Sequence, residues 1–199
     1  ILTPKSYAYL RISEGCNHTC TFCAIPSMRG RNLSKPLDVL VEDTRRLADQ
    51  GVREVIVVAE DSTAYGLDID RKRSIHTLIE QLADVDGIDW VRLMYAYPGF
   101  VTPALVETMA AIPQVCHYLD IPLQHGSASV LRRMKRPHNL TMVHDTLERL
   151  RIAMPDIAIR STFIVGFPGE TKPEFEELLD FLREGRFDRI GAFTYSPQD

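Results

Sequence analysis

The sequence predicts an α/β fold built on a parallel sheet. Six short runs rich in β-branched and aromatic residues alternate along the 199-residue chain with amphipathic helical patterns, and strict alternation of this kind favours parallel strands. The run VIVVA at 55–59 is apolar without interruption, as expected of a strand covered on both faces. Two closures fit, an open doubly wound sheet and a curled barrel. The lack of a GxGxxG motif after the first strand weakens the dinucleotide-binding form of the open sheet.

Local signals place the individual elements. Strands are expected at residues 7–12, 54–60, 90–95, 117–123, 157–165 and 189–195. The first long helix is expected to take Ser34 as its N-cap and to end at Gly51. Thr102 is the expected N-cap of a later helix, and Thr171 with Glu174 has the spacing of a capping box.

The bulk composition is that of an ordinary globular protein, with 45% hydrophobic and 25% charged residues. The net charge of −4 gives no global basic field that would attract nucleic acid. No apolar run approaches the length needed to span a bilayer, so we expect no membrane contact. The chain starts without methionine and shows no signal peptide. We interpret residues 1–199 as one domain of a longer cytoplasmic protein.

Three of the four cysteines lie within residues 16–23, as Cys16, Cys20 and Cys23. A disulfide framework would spread them along the chain, so the cluster indicates metal binding in a reducing compartment. The triplet directly follows the first strand, and ligands in parallel βα folds gather at the carboxyl ends of strands. Cys116 stands alone, and we expect it to pack as a small apolar side chain.

The three cysteines are compatible with more than one kind of metal site. A structural zinc site needs four ligands, whereas this loop offers three thiols and His18, which cannot easily turn back onto the same ion. An iron–sulfur cluster usually has four cysteine ligands. Three would leave one iron open to a substrate or cofactor, as a catalytic site requires. A zinc-stabilised binding module and an electron carrier without a cofactor site remain the alternatives.

The spacing Cys16-x-x-x-Cys20-x-x-Cys23, with Phe22 before the last cysteine, resembles that of radical S-adenosylmethionine (SAM) enzymes. The resemblance implies a partial parallel (β/α)6 barrel and a [4Fe–4S] cluster held by the three cysteines, with SAM on the open iron. In that family the reduced cluster cleaves SAM to methionine and a 5′-deoxyadenosyl radical, which removes hydrogen from carbon. The cofactors supply this chemistry, while the protein positions and shields them.

Longer motifs resemble the methylthiotransferases within that family. The matching segments are SEGCNHTCTFCAIPSMRGRNLSKP at 13–36, STFIVGFPGET at 161–171 and FTYSP at 193–197, with Lys35 where arginine is usual. AEDSTAYG at 59–66 and RLMYAYP at 92–98 resemble the branch that modifies an aspartate of a small-subunit ribosomal protein. The branch that modifies adenosine in tRNA is the alternative.

This resemblance also implies partners and further domains. The substrate would be a ribosomal protein of the small subunit or, in the alternative, a tRNA. An electron donor such as flavodoxin or ferredoxin would reduce the cluster. An N-terminal methylthiotransferase domain with a second cluster and a C-terminal small β domain are expected beyond residues 1–199.

The same resemblance, with the strand ends, nominates residues that contact SAM. Each also has a purely structural interpretation: packing of the loop, solvated carboxylates, a satisfied amide, a surface arginine or a simple turn. The nominated residues are Phe22 near the adenine, Glu60 and Asp61 for the amino group, Gln124 for ribose or carboxylate, Arg160 for the carboxylate or a barrel acid, and Gly166 near the adenine.

Overall fold

The computed structural model describes residues 4–197. The strands are β1 Tyr7–Arg11, β2 Ser13–Glu14, β3 Leu33–Ser34, β4 Glu54–Val58, β5 Trp90–Leu93, β6 Val115–Asp120, β7 Ala158–Val165 and β8 Arg189–Thr194. The helices are α1 Ile25–Arg29, α2 Leu37–Asp49, α3 Ile75–Ala83, α4 Pro103–Ala111, α5 Ala128–Arg133, α6 Leu140–Ala153 and α7 Lys172–Gly185. Two 3₁₀ turns cover Ser62–Ala64 and Pro98–Phe100.

Six strands form one sheet in the order β1-β4-β5-β6-β7-β8, and every neighbouring pair is parallel. Each new strand is therefore added beside the previous one, whereas a doubly wound sheet reverses its order part of the way along. This confirms the predicted parallel barrel-type fold over the doubly wound sheet. Strands β2 and β3 make a separate antiparallel pair at the base of the loop that carries the cysteines.

Alternate strand residues divide between the two sides of the sheet. Leu10, Val57, Leu93, Leu119 and Phe163 are buried and belong to one hydrophobic core that the helices complete. The residues that alternate with them along each strand face the inner side of the sheet, where the carboxyl ends of the strands surround a cavity. The core thus fixes the positions of the strand ends that carry the cavity side chains.

The cap predictions have mixed outcomes. The side chain of Thr102 accepts the N–H of Leu105, and the capping box of Thr171 with Glu174 is present. The predicted N-cap role of Ser34 is wrong, because α2 begins after Pro36 without a side-chain cap. Ser34 instead pairs with Ser13 in the small sheet.

The side chain of Asp68 accounts for that difference. Its carboxylate accepts the backbone N–H of Ser34 at 2.7 Å and the Ser34 hydroxyl at 2.6 Å. The hydroxyl is therefore engaged away from the helix end.

Within residues 4–197, no helix combines the length and apolar character that crossing a bilayer requires.

Candidate active site

A cavity of about 580 Å³ lies at the carboxyl ends of the strands. The side chains of Cys16, Cys20 and Cys23 all line it, together with residues that follow β4, β5 and β6. This volume is within the range of small-molecule sites. Among the residues that the structure describes, no three His, Cys, Asp or Glu side chains are grouped so that they could hold a single metal ion.

The loop that carries the cysteines begins with a turn that only glycine fits. Gly15 has a φ of +75°, and a Cβ at this position would lie 2.3 Å from the carbonyl oxygen of Arg31. The next residue closes the loop, since the N–H of Cys16 donates to the carbonyl of Gly30 at 3.1 Å. Gly15 therefore lets the two ends of the loop meet.

A second anchor of the loop joins His18 to Asp61. The Nε2 atom of His18 lies 2.7 Å from Oδ2 of Asp61, and its ring stacks on Tyr97 with 3.7 Å between centroids. The other oxygen of Asp61 accepts the N–H of Thr63 at 2.9 Å. Sequence reasoning missed this contact because no local pattern links residues 18 and 61.

The three thiols have different surroundings. Cys16 accepts the backbone N–H of His18 at 3.4 Å, and burial raises the pKa of its thiol. The sulfur of Cys20 lies 3.9 Å from a guanidinium nitrogen of Arg136, and Cys23 is exposed. The fourth cysteine, Cys116, lies in β6 outside the cavity lining, and burial raises the pKa of its thiol.

Four of the six nominated cofactor contacts line the cavity: Phe22, Glu60, Gln124 and Arg160. Asp61 does not, because it is 3% exposed and turns its carboxylate to the loop and to the 3₁₀ turn after β4. Gly166 also lies outside the lining. The cofactor roles of all six residues stay predictions, and this geometry gives Asp61 and Gly166 no support.

Two cavity side chains are notable for their polar partners. The Oε2 atom of Glu60 is buried and has no hydrogen-bond partner among residues 4–197. The guanidinium of Arg160 donates to Asp120 at 2.6 Å, and that carboxylate is fully buried. Arg160 therefore points inward and pairs with a barrel acid, which was one of the two orientations considered for it.

Two cavity residues have a left-handed backbone conformation that residues other than glycine rarely adopt. Tyr95 has a φ of 60° and Gln124 a φ of 79°. Backbone bonds fix both: Ala96 donates to the carbonyl of Asp120 at 2.8 Å, and Gln124 donates to that of Thr162 at 2.9 Å. Left-handed non-glycine residues cluster at functional sites, so this strain marks the same cavity independently of the cysteines.

Comparisons with known proteins agree with this site. The sequence profile of the Radical SAM superfamily matches residues 10–182. The chain is 50% identical over 199 residues to "Ribosomal protein uS12 methylthiotransferase RimO" of Symbiobacterium thermophilum, covering 100% of this chain and 41% of that protein. It is 51% identical over 195 residues to the protein of the same name from Moorella thermoacetica, covering 98% and 45%. The chain thus spans less than half the length of these relatives.

Solved structures share the fold at low sequence identity. The radical SAM methyltransferase TsrM from Kitasatospora setae superposes with a TM-score of 0.76 at 17% identity, covering 94% of this chain and 36% of that one. Coproporphyrinogen III oxidase (HemN) from Escherichia coli gives 0.62 at 17% identity, covering 96% and 44%. With the profile match over most of its length, the chain belongs to the radical SAM superfamily.

Proposed function

We propose that this chain is the radical SAM domain of a methylthiotransferase that modifies an aspartate of ribosomal protein uS12. The observation that carries the proposal is the 50% identity to a uS12 methylthiotransferase across all 199 residues. Since those relatives are more than twice as long, the complete reaction belongs to the longer protein. The assignment of residues 1–199 to one domain stays a prediction.

The residues around the cavity fit the two cofactors that the superfamily uses. Cys16, Cys20 and Cys23 would hold a [4Fe–4S] cluster, because three thiols line one cavity and thiolates are the ligands such clusters take. SAM would lie in the rest of the cavity, beside Glu60 and Arg160. When bound, the cluster supplies the electron that cleaves SAM to methionine and a 5′-deoxyadenosyl radical, which activates a C–H bond of the substrate.

The polar side chains would orient SAM by its charged groups. The buried oxygen of Glu60 that lacks a partner is free to accept from an ammonium group. Arg160 uses one nitrogen on Asp120 and keeps further N–H donors for a carboxylate. Gln124 lies four residues beyond β6, has a left-handed backbone and lines the cavity.

A small apolar wall lies behind Phe22 and would help to exclude water from the cavity. Val130, Met134 and Phe167 make a second small hydrophobic cluster, against which Phe22 and Ile164 pack. Phe22 connects this wall to the cysteine loop, since it lies between Cys20 and Cys23 and also lines the cavity. Excluding water from the cavity would protect a reactive carbon radical from side reactions.

Two features favour a protein over tRNA as the substrate. The relatives at 50% and 51% identity are named for uS12, and the net charge of −4 offers no general attraction for nucleic acid. A cytoplasmic location and an electron donor such as flavodoxin or ferredoxin belong to the same proposal. The zinc-stabilised binding module receives no support from relatives that are named as enzymes.

The proposal is tested with the 199-residue chain reconstituted with iron and sulfide without oxygen. With dithionite, the parent chain should convert SAM to 5′-deoxyadenosine and methionine, which chromatography separates. Cys20→Ala should lose this activity, and Cys116→Ala should keep it. An iron-loaded parent that does not cleave SAM would overturn the proposal.

A separate assay tests the preference for uS12 over tRNA. Purified uS12 should accelerate SAM cleavage or bind the chain in a pull-down, whereas unmodified tRNA should do neither. The opposite pattern would favour the tRNA branch. Binding of both with equal strength would contradict the preference for uS12.

A further inference from the structure

Arg136 is a buried cation without an acidic partner. Its relative exposure is 8%, and among residues 4–197 no carboxylate oxygen lies within 4.0 Å of its guanidinium nitrogens. Its Nε atom is also buried and has no hydrogen-bond partner in that part of the chain. A buried charge is costly unless an opposite charge offsets it, so the structure calls for an anion near this guanidinium.

The atoms around the guanidinium show where that anion would be. One terminal nitrogen donates to the carbonyl of Pro122, and the other lies 3.9 Å from the sulfur of Cys20. The central carbon is 4.2 Å from the ring centroid of Tyr97. Of these neighbours, Cys20 is the one that would carry a negative charge, because a cysteine binds metal as its thiolate.

The backbone on both sides holds this contact in place. After α5, Lys135 takes a left-handed φ of 53°, and the N–H of Arg136 returns to the carbonyl of Leu131 at 2.8 Å. The cysteine loop docks on the same helix end: Thr21 donates its N–H to Met134 at 3.2 Å and its hydroxyl to Arg133 at 2.9 Å. The contact is therefore tethered from both chain segments, which distinguishes it from a chance approach of a mobile side chain.

We propose that Arg136 is a positioning residue that holds a fixed positive charge against Cys20 and thereby raises the reduction potential of the cluster. The inference rests on the proposed function, since it concerns a [4Fe–4S] cluster bound by the three cysteines. Reduction adds one electron from the donor to the cluster and its thiolates, and no bond changes in that step. A cation beside Cys20 favours the more negative, reduced form.

The test is a redox titration of the reconstituted chain in the absence of SAM, followed by electron paramagnetic resonance. Arg136→Met removes the charge with a similar side-chain length, and Arg136→Gln is a second neutral variant in case the first folds poorly. Each should shift the reduction equilibrium at least about tenfold towards the oxidised cluster, which is about 59 mV for a one-electron couple. Arg136→Lys should recover more than half of that shift, because it restores the charge.

Arg132→Gln is the matched control. It makes the same charge change on the same helix end, but Arg132 is exposed, and its shift should be less than about twofold because solvent screens the charge. A purely structural role for Arg136 would alter folding or iron uptake and leave the potential of the loaded fraction unchanged.

The outcomes separate the two claims. A parent chain that takes up no cluster would overturn the proposed function, and the inference with it. A parent that loads normally, with neutral Arg136 variants at the parent potential, would overturn only the inference. The inference would also be overturned if Arg132→Gln shifted the equilibrium as far as Arg136→Met, since a long-range charge effect would then suffice.

Discussion

Replacing Asp61 by alanine should destabilise the chain and loosen the cysteine loop. The side chain is 3% exposed, accepts from His18 and from the backbone and hydroxyl of Thr63, and caps the 3₁₀ turn after β4. Loss of an N-cap costs about 1 kcal/mol, and loss of a hydrogen bond to a charged group costs about 1.5–3 kcal/mol. The two overlap in one carboxylate, so we expect the free energy of unfolding to fall by about 2–4 kcal/mol.

Urea unfolding of the cluster-free chain measures this loss, and a double-mutant cycle with His18→Ala isolates the shared contact. The single variants should be non-additive by about 1 kcal/mol, because each removes the same hydrogen bond. Asp61→Asn is the control, since it keeps an acceptor for the N–H of Thr63. It should lose less stability than Asp61→Ala.

Two results would refute this reasoning. One is an Asp61→Ala chain within about 0.5 kcal/mol of the parent, the range of an ordinary surface substitution. The other is full additivity of the two single variants, which would mean that the contact between residues 18 and 61 contributes nothing to the folded loop.

Three further predictions concern the framework and the cofactor site. Gly126→Ala should cost about 1–3 kcal/mol in urea unfolding, since its Cβ would lie 2.5 Å from a side chain of α7, whereas Gly99→Ala, with its nearest atom at 3.9 Å, should change little. Hydrogen bonding from Arg133 holds the pKa of Glu174 well below its usual range, so Glu174→Gln should cost stability at neutral pH, and this difference should shrink as the pH falls below about 4.3; a pH-independent difference would contradict it. Arg160→Met should weaken SAM binding about tenfold or more in isothermal titration of the cluster-loaded chain, and unchanged affinity would remove Arg160 from the SAM site.

The sheet could be predicted because its signals are local. Each of the six strand runs overlaps an observed strand, and the βα alternation implied parallel pairing before any contact was known. The capping box of Thr171 and Glu174 also depends only on residues three apart. Ser34 failed as a cap because its hydroxyl was taken by Asp68, which lies 34 positions away.

The sequence correctly grouped the three cysteines at the cavity, but it identified the other residues around it only in part. Strand ends correctly placed Glu60 and Gln124 at the mouth of the barrel, and Arg160 inside β7 lines the same cavity. Adjacency in sequence suggested that Asp61 would join Glu60, yet the chain turns after β4 and sends the second carboxylate to His18. Arg136 was not nominated, because its approach to Cys20 depends on how the turn after α5 meets the cysteine loop.

The most direct test of the account is an iron and sulfide count on four reconstituted chains: the parent, Cys20→Ala, Cys23→Ala and Cys116→Ala. We expect about four irons and four sulfides per parent chain, as for a [4Fe–4S] cluster, and the same for Cys116→Ala. The other two variants should retain little of either. A parent chain that holds stoichiometric zinc in place of iron, or a Cys116→Ala chain that folds but loses its iron, would contradict the assignment of the cluster to Cys16, Cys20 and Cys23.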